Sequence, residues 1–286
     1  MTRRTPKPPH RPPGNMPGTR SQKIAKLLQE GLALHRQGNL GSAKQTYEKI
    51  LKKQRNHFNA LHLLGIIYMQ GEQNEESVKF FDKALQISKT NAEVFNNRGV
   101  ALQKLRRFDD ALRSYDEALR IKPDYVEAAN NRGATLHLLN RLDDALTNFD
   151  RALRIKPDYA EAMNNRGNVL QDLKRLDDAL ASYDEALRIK PDYLKALNNR
   201  GATLHELKRF DDALTTYDEV LQIKPDFAEV LYNRGNVLQE LKRFDDALAS
   251  YDEALNIEPN YTEATWNKSL LLILTGNYLN GWMLYE

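Results

Sequence analysis

The chain has 286 residues, enough by length for two ordinary domains, and no cysteine, which excludes disulfides, thiolate metal sites and thiol nucleophiles. Its net charge is +3, but the first twenty residues hold five basic residues and no acid, so the remainder stands at −2 and alternates in sign, without the basic stripe of a nucleic-acid-binding array. No stretch approaches about 18 consecutive apolar residues, as a membrane-spanning helix requires, and the opening lacks the apolar run of a signal peptide, so a cytoplasmic location is expected.

Residues 1–20 hold six of the eleven prolines and no apolar periodicity. Such a segment cannot bury enough surface to offset its ordering entropy, and a disordered basic, proline-rich tail is expected. From residue 21 to 286 the pattern is helical and repeats every 34 residues. Units start at Ile24, Phe58, Ala92, Val126, Ala160, Leu194, Ala228 and Thr262, the last one incomplete. In an array of this kind each unit contacts its neighbours and no central core is needed.

Within each unit, position 8 is glycine from Gly31 to Gly235 and then Ser269; position 20 is small (Ala43, Ser77, Ala111, through Gly281); position 24 is always aromatic (Tyr47, Phe81, Tyr115, Phe149, through Tyr285). Two helices that cross closely need small residues at the contact, and an aromatic ring fills the space beside it. Position 27, as in Ala118, Ala152 and Val220, is small or aliphatic and admits the next unit's first helix. Pro123, Pro157, Pro191, Pro225 and Pro259 end the second helices. Asp124 with Glu127, Asp158 with Glu161, Asp226 with Glu229 and Asn260 with Glu263 have the spacing of capping boxes for the first helices. The paired carboxylates from Asp109-Asp110 to Asp245-Asp246 open the second helices, where capping and the helix dipole explain them better than a metal or acid–base site.

This pattern resembles the tetratricopeptide repeat (TPR), a 34-residue helix–turn–helix. The likeness runs from Ser21 to the C-terminus. It departs at Arg55 and Lys89, where the family carries proline, and at position 7, where Arg98, Arg132, Arg166, Arg200 and Arg234 replace the usual leucine. Those arginines are expected to pair with the position-25 aspartates Asp116, Asp150, Asp184, Asp218 and Asp252. The resemblance implies an all-α fold, a right-handed α-α superhelix (solenoid), with first helices lining a concave inside.

At about 100° per residue, positions 1, 4, 8 and 11 of a first helix form a packed stripe and positions 2, 6, 9 and 13 the opposite face, with 5 and 12 on its border. Position 6 is asparagine six times: Asn97, Asn131, Asn165, Asn199, Asn233 and Asn267. Position 5 adds Asn96, Asn130, Asn164 and Asn198, then Tyr232 and Trp266. An amide side chain offers donors and an acceptor to an extended peptide backbone whatever its side chains. A ladder of this kind resembles the TPR arm of O-GlcNAc transferases, whose position-6 asparagines contact peptide backbone. The same residues read structurally would bond the neighbouring helix and set the pitch of the array.

His137 and His205 share position 12 two units apart and cannot share a metal; His57 and His62 lack a companion ligand set. No phosphate loop, serine elbow or zinc-protease motif occurs. The sequence therefore points to a non-enzymatic scaffold with no metal or cofactor, whose partners are proteins or peptides and neither nucleic acid nor membrane. The last unit contains an apolar run from Leu270 to Leu274, followed by Trp282 and Tyr285. A solenoid end should be polar. Either the chain continues, or this end docks a further domain, a partner or a second copy. The ending G-N-Y-L-N-G-W-M-L-Y-E resembles the junction in bacterial TPR proteins that lead into a glycosyltransferase domain. A substrate-recognition arm of such an enzyme is the alternative function.

Overall fold

Each 34-residue period becomes one antiparallel helix hairpin, because two sequence signals recur at fixed places. A residue with positive φ stops the first helix, and a short turn, K-P-D-aromatic after α6, α8, α10 and α12, stops the second. The computed structural model describes residues 19–285 and is all-α over them. In chain order the helices are α1 (Arg20–Arg36), α2 (Leu40–Lys53), α3 (Phe58–Gln70), α4 (Asn74–Ile87), α5 (Ala92–Lys104), α6 (Phe108–Ile121), α7 (Val126–Leu138) and α8 (Leu142–Ile155). They continue with α9 (Ala160–Asp172), α10 (Leu176–Ile189), α11 (Leu194–Glu206), α12 (Phe210–Ile223), α13 (Ala228–Glu240), α14 (Phe244–Ile257), α15 (Thr262–Leu274) and α16 (Tyr278–Tyr285). Residues 1–18 of the expected tail lie outside the described residues. Thr19 and Arg20 do not belong to a tail: Thr19 caps α1 in a capping box with Gln22, and Arg20 is its first helical residue.

The chain forms two compact units, one up to Ser114 and the other from Tyr115. In the first, α1–α2 and α3–α4 pair, and α5 packs on α4 and α3. In the second, α7–α8, α9–α10, α11–α12, α13–α14 and α15–α16 pair. First helices there also touch the first helices of adjacent hairpins, α7 with α9, α9 with α11 and α11 with α13. They form one layer, and the second helices form the other.

The turn after each first helix takes one residue into the left-handed region: Gly38, Glu72, Arg106, Asn140, Lys174, Lys208, Lys242 and Gly276. Around Asn140 the bonds are Asn140 N–H to His137 O (2.8 Å) and Arg141 N–H to Leu136 O (2.9 Å). This is a Schellman closure, which satisfies the carbonyls left over at a helix end. The turn after the second helix is held differently. Lys156, Lys190 and Lys224 lay their ammonium groups over the rings of Tyr159, Tyr193 and Phe227.

Those aromatic residues correct the expected caps. Tyr125, Tyr159, Tyr193, Phe227 and Tyr261 occupy the N-cap positions of α7, α9, α11, α13 and α15, and no side chain caps these helices. Asp124, Asp158, Asp226 and Asn260 stand one residue too early for a capping box. The second helices behave alike: α8 is preceded by Arg141, and Asp143-Asp144 lie in its first turn. The carboxylates therefore serve the helix dipole and pair with the arginine before them, Arg141 to Asp144 at 2.6 Å, rather than capping.

The packed stripe is shifted from the expected positions 1, 4, 8 and 11: positions 8 and 11 are buried, but position 1 is only half-buried at Ala92, Val126, Ala160 and Leu194, as is position 4 at Phe95 and Met163. Positions 3 and 10 are fully buried instead, as at Val94 and Ala101 or Ala162 and Val169, because first helices such as α5 and α9 pack on the preceding second helices α4 and α8. One cluster in the second unit, built on Leu180, Leu204, Tyr217, Val220, Val230 and Val237, runs through four successive helices. The glycine–aromatic contact has the predicted geometry. A Cβ added to Gly167 would lie 2.5 Å from Cε1 of Tyr183, and one on Gly201 or Gly235 would meet Tyr217 or Tyr251 equally closely. Where serine replaces a small residue here, its hydroxyl bonds the facing carbonyl: Ser77 to Gly65 O (2.8 Å) and Ser269 to Gly281 O (2.9 Å).

Two effects oppose each other at Gly167. Alanine gains up to about 1 kcal/mol of helix propensity, whereas overpacking a close contact costs about 1–3 kcal/mol. Gly167→Ala is expected to lower stability by about 1 kcal/mol net in denaturant unfolding. In a Tyr183→Leu background the same substitution should become neutral or stabilising; an equal loss in both backgrounds would show that the ring is not the obstacle.

Candidate functional site

The asparagines fall on the first-helix layer, but most are not free groups on an open face. Position-5 residues Asn96, Asn130 and Asn164 are buried and Asn198 is half-buried, so the border position turns into the junction between hairpins. Position-6 residues Asn97, Asn131, Asn165, Asn199, Asn233 and Asn267 are all half-buried. The two rows bond each other between repeats. Asn165 Nδ2 donates to Asn130 Oδ1 (3.1 Å), Asn199 to Asn164 (3.0 Å) and Asn233 to Asn198 (3.3 Å). Where position 5 changes, the bond survives: Asn267 donates to the Tyr232 hydroxyl (3.2 Å), and Asn97 to Nε2 of His62 (3.2 Å). Five of the asparagines in register thus have a visible structural reason, and the peptide reading must work with the atoms that remain.

What remains alternates from repeat to repeat. Asn199 and Asn267 also donate to Asn168 Oδ1 and Asn236 Oδ1 (2.8 Å each), so both their N–H groups are used. Asn165 and Asn233 follow repeats with alanine at that place, Ala134 and Ala202, and make one bond each. The acceptors Asn168 and Asn236 are held in turn by the Tyr183 and Tyr251 hydroxyls (2.8 Å), which also reach Gln171 and Gln239 (3.2 Å). The aromatic position-24 tyrosines of the core therefore orient the amides of the surface. Burial holds both hydroxyls above their ordinary pKa, so they remain donors. The sequence signal for this second set, N-V-L-Q at 168–171 and 236–239, was present but lay outside the position-6 ladder.

The position-7 arginines form the other tie between repeats. Arg132, Arg166, Arg200 and Arg234 pair with Asp116, Asp150, Asp184 and Asp218 of the preceding second helix at 2.7 Å, and Arg98 pairs with Asp82 at 2.6 Å. Asp252, the last of the expected partners, pairs with Lys268 instead. Arg166, Arg200 and Arg234 also donate to the hydroxyls of Ser182, Thr216 and Ser250 in their own hairpins. Arg166, Arg200 and Arg234 thus each join three helices.

His57, His137 and His205 each make a contact within the fold. His57 Nδ1 accepts from Ala60 N–H at the start of α3. His137 meets Asp172 at 2.5 Å, and His205 lies against the ring of Phe210. Among the described residues no group of three or more histidine, aspartate or glutamate side chains could hold a metal ion, and no helix is long and apolar enough to cross a membrane. At the C-terminal end Leu271 and Leu272 are buried, while Leu270, Leu274, Tyr278, Leu279, Trp282 and Met283 are exposed, so α15 and α16 present apolar side chains to solvent.

Family models described as tetratricopeptide repeat match residues 56–124 and 158–226, residues 96–160, and residues 228–261. The chain belongs to the tetratricopeptide repeat family. Three solved TPR-like structures illustrate the likeness. YrrB, described as a TPR protein with an unusual peptide-binding site, is 25% identical over 66% of this chain and 97% of its own, with a TM-score of 0.55. A tetratricopeptide repeat protein from Parabacteroides merdae is 18% identical over 88% of this chain and 99% of its own (TM-score 0.69). PilF of Pseudomonas aeruginosa is 20% identical over 74% of this chain and 96% of its own (TM-score 0.64). The last two show the shared TPR fold. No curated protein matches the sequence significantly.

Two measurements probe the ties between TPR hairpins. Asn165→Ala leaves the buried Asn130 carbonyl without its donor, which costs about 1–3 kcal/mol. Adding Asn130→Ala should recover part of that loss, so a double-mutant cycle by urea denaturation is expected to give a coupling of about 1 kcal/mol; strict additivity would remove the bond from the account. The second concerns pH. Burial pushes the His62 imidazole below its ordinary pKa, against the opposing pull of Glu93. The unfolded imidazole binds its proton near the ordinary value of about 6.5, before the folded one does. Stability is therefore full above that pH and falls as pH drops below it. The loss between about pH 7 and pH 5 should be smaller in His62→Asn; an unchanged slope would acquit His62.

Proposed function

We propose that this TPR chain is a protein-interaction scaffold whose second unit binds an extended peptide across the open face of α7, α9, α11 and α13. The observation that supports this is the row of half-exposed amides at Asn165, Asn168, Gln171, Asn233, Asn236 and Gln239, each fixed in orientation by a bond to the protein. Fixed amides lose little entropy when they pair with a peptide backbone. Asn165, Asn199 and Asn233 keep their side-chain oxygens for that purpose, and Asn165 and Asn233 keep one N–H each. The peptide-binding site named for YrrB favours the same use of the fold. Ala134 and Ala202 leave the gaps into which a backbone would settle.

Truncating the asparagines would mix stability with binding, so a filled groove is the cleaner test. Ala202→Tyr puts a ring on the open face, and Thr215→Tyr puts one on the exposed side of α12. Peptides selected from a random library against the intact chain should bind Ala202→Tyr at least about tenfold more weakly, about 1.4 kcal/mol, and Thr215→Tyr as tightly as the parent. Equal binding to both variants would sink the assignment of the face.

A further inference from the structure

The open face of the second unit has a charge pattern that the ladder alone does not explain. Along its N-terminal edge, at the second helical position, stand Glu127, Glu161, Glu229 and Glu263, all exposed. Along its C-terminal edge stand Asp172, Glu206 and Glu240, also exposed. The single cation in these two rows is Lys195. The asparagines run between the edges. The carboxylates act on their surroundings: the Tyr159 hydroxyl is held above its ordinary value by burial and then by Glu161 and Glu127. Tyr261 is pushed up to about 12 by burial, then Glu229, Tyr232 and Glu263.

The pattern also has a longer period than the repeat. α9 and α13 share R-G-N-V-L-Q followed by an acid (Arg166–Asp172 and Arg234–Glu240), whereas α7 and α11 carry R-G-A-T-L-H (132–137 and 200–205). Alternate repeats therefore present the same trio: an asparagine and a glutamine whose oxygens face the core tyrosine, and a carboxylate beside them. With their oxygens taken by the tyrosine and by the next repeat's asparagine, the amide N–H groups of Asn168 and Asn236 have no partner among the described residues. At α13 the trio borders a cavity of about 220 Å³ lined by His205, Asn236, Gln239, Glu240, Asn267 and Leu270. That is below the roughly 300–1,000 Å³ of a small-molecule pocket and suits one long side chain. Leu270 supplies an apolar wall for a methylene stem, and Glu240 an anion for its end.

Resting on the peptide-binding reading above, we propose that the second unit selects a basic extended segment, one lysine or arginine seated in the cavity beside Glu240 and another beside Asp172. The amide N–H groups of each trio take backbone carbonyls of the segment. The two sites are not equal. Asp172 is already met by His137, whereas Glu240 has no ion-pair partner among the described residues, so the α13 site is the stronger. Their separation sets a register. Adjacent packed helices lie about 8–10 Å apart, so two repeats span about 16–20 Å. An extended chain rises about 3.3 Å per residue, which places the basic residues about five or six positions apart.

The test uses the intact chain and labelled twelve-residue peptides of serine, threonine and valine. One carries two lysines six positions apart, one two adjacent lysines, one two glutamates six apart and one no charge. The spaced-lysine peptide is expected to bind at least about tenfold more tightly than the others and to weaken steeply between about 0.05 and 0.5 M salt. Glu240→Gln should cost it more than Asp172→Asn, with both variants melting within about a degree of the parent because both carboxylates are exposed. Equal binding of the uncharged peptide, still blocked by Ala202→Tyr, would overturn the basic preference and leave the peptide face standing. A lysine preference blind to spacing would overturn the two-site register. Binding of none of the peptides would overturn both readings.

Discussion

Everything in this molecule depends on how closely two helices of a hairpin can cross. Glycine at position 8 removes the one atom that would stand 2.5 Å from the position-24 ring, as at Gly167 and Tyr183. The ring then covers the crossing and is fully buried in every complete repeat. Dispersion rewards such a contact only at near-touching distance. A hairpin held a few tenths of an ångström further apart would lose packing along its whole length. The same contact places the tyrosine hydroxyl where it can grip surface amides. Tyr183 and Tyr251 are at once core fillers and the anchors of Asn168, Gln171, Asn236 and Gln239.

A hairpin built this way buries one side only, and its other surfaces must find neighbours. Apolar residues at positions 3 and 10 supply the attraction but little direction, since alanine, threonine and valine all serve there. Direction comes from polar ties. The arginine at position 7 reaches the preceding second helix and its own partner helix together, which fixes three helices with one planar group. The position-6 asparagine does the same for successive first helices. A slipped register would leave buried carbonyls such as that of Asn130 without donors, a penalty of about 1–3 kcal/mol for each. Sign alternation along the chain is the trace of these ties, which is why so charged an array has so little net charge.

The fold was legible because the period is long, regular and chemically redundant: glycine, alanine, aromatic and proline recur at fixed spacings that only a close-crossing hairpin explains. That the arginines pair with position-25 aspartates was legible too, since opposite charges recurred in phase, but not that each reaches back to the preceding repeat, Arg132 to Asp116 and Arg98 to Asp82. The caps were not. Asp124 and Glu127 have capping-box spacing, but the helix starts after Tyr125, and spacing cannot reveal a shift of one residue. Nor could a helical wheel place Asn130. A single helix seen by angle has one packed side, whereas a helix between two hairpins has two, so position 5 moved from rim to interior. The alternation of N-V-L-Q with A-T-L-H was readable as letters. Its meaning required knowing that Tyr183 holds the oxygens and leaves the N–H groups outward.

This division of labour within the amides decides what kind of recognition the face supports. An asparagine whose both N–H groups are bonded, such as Asn199, can only accept. Asn168, whose oxygen receives both Tyr183 and Asn199, can only donate. Asn199 and Asn168 are thereby sorted into an acceptor and a donor. A ladder of free asparagines would bind any orientation of a peptide by rotating its amides. A ladder locked by its own hydrogen bonds fixes polarity in advance. If the face binds a peptide as proposed, the bonds that hold the repeats in register are the source of its directional preference. A substitution that loosens the array should cost discrimination between a peptide and its reversed sequence before it costs affinity for peptides in general.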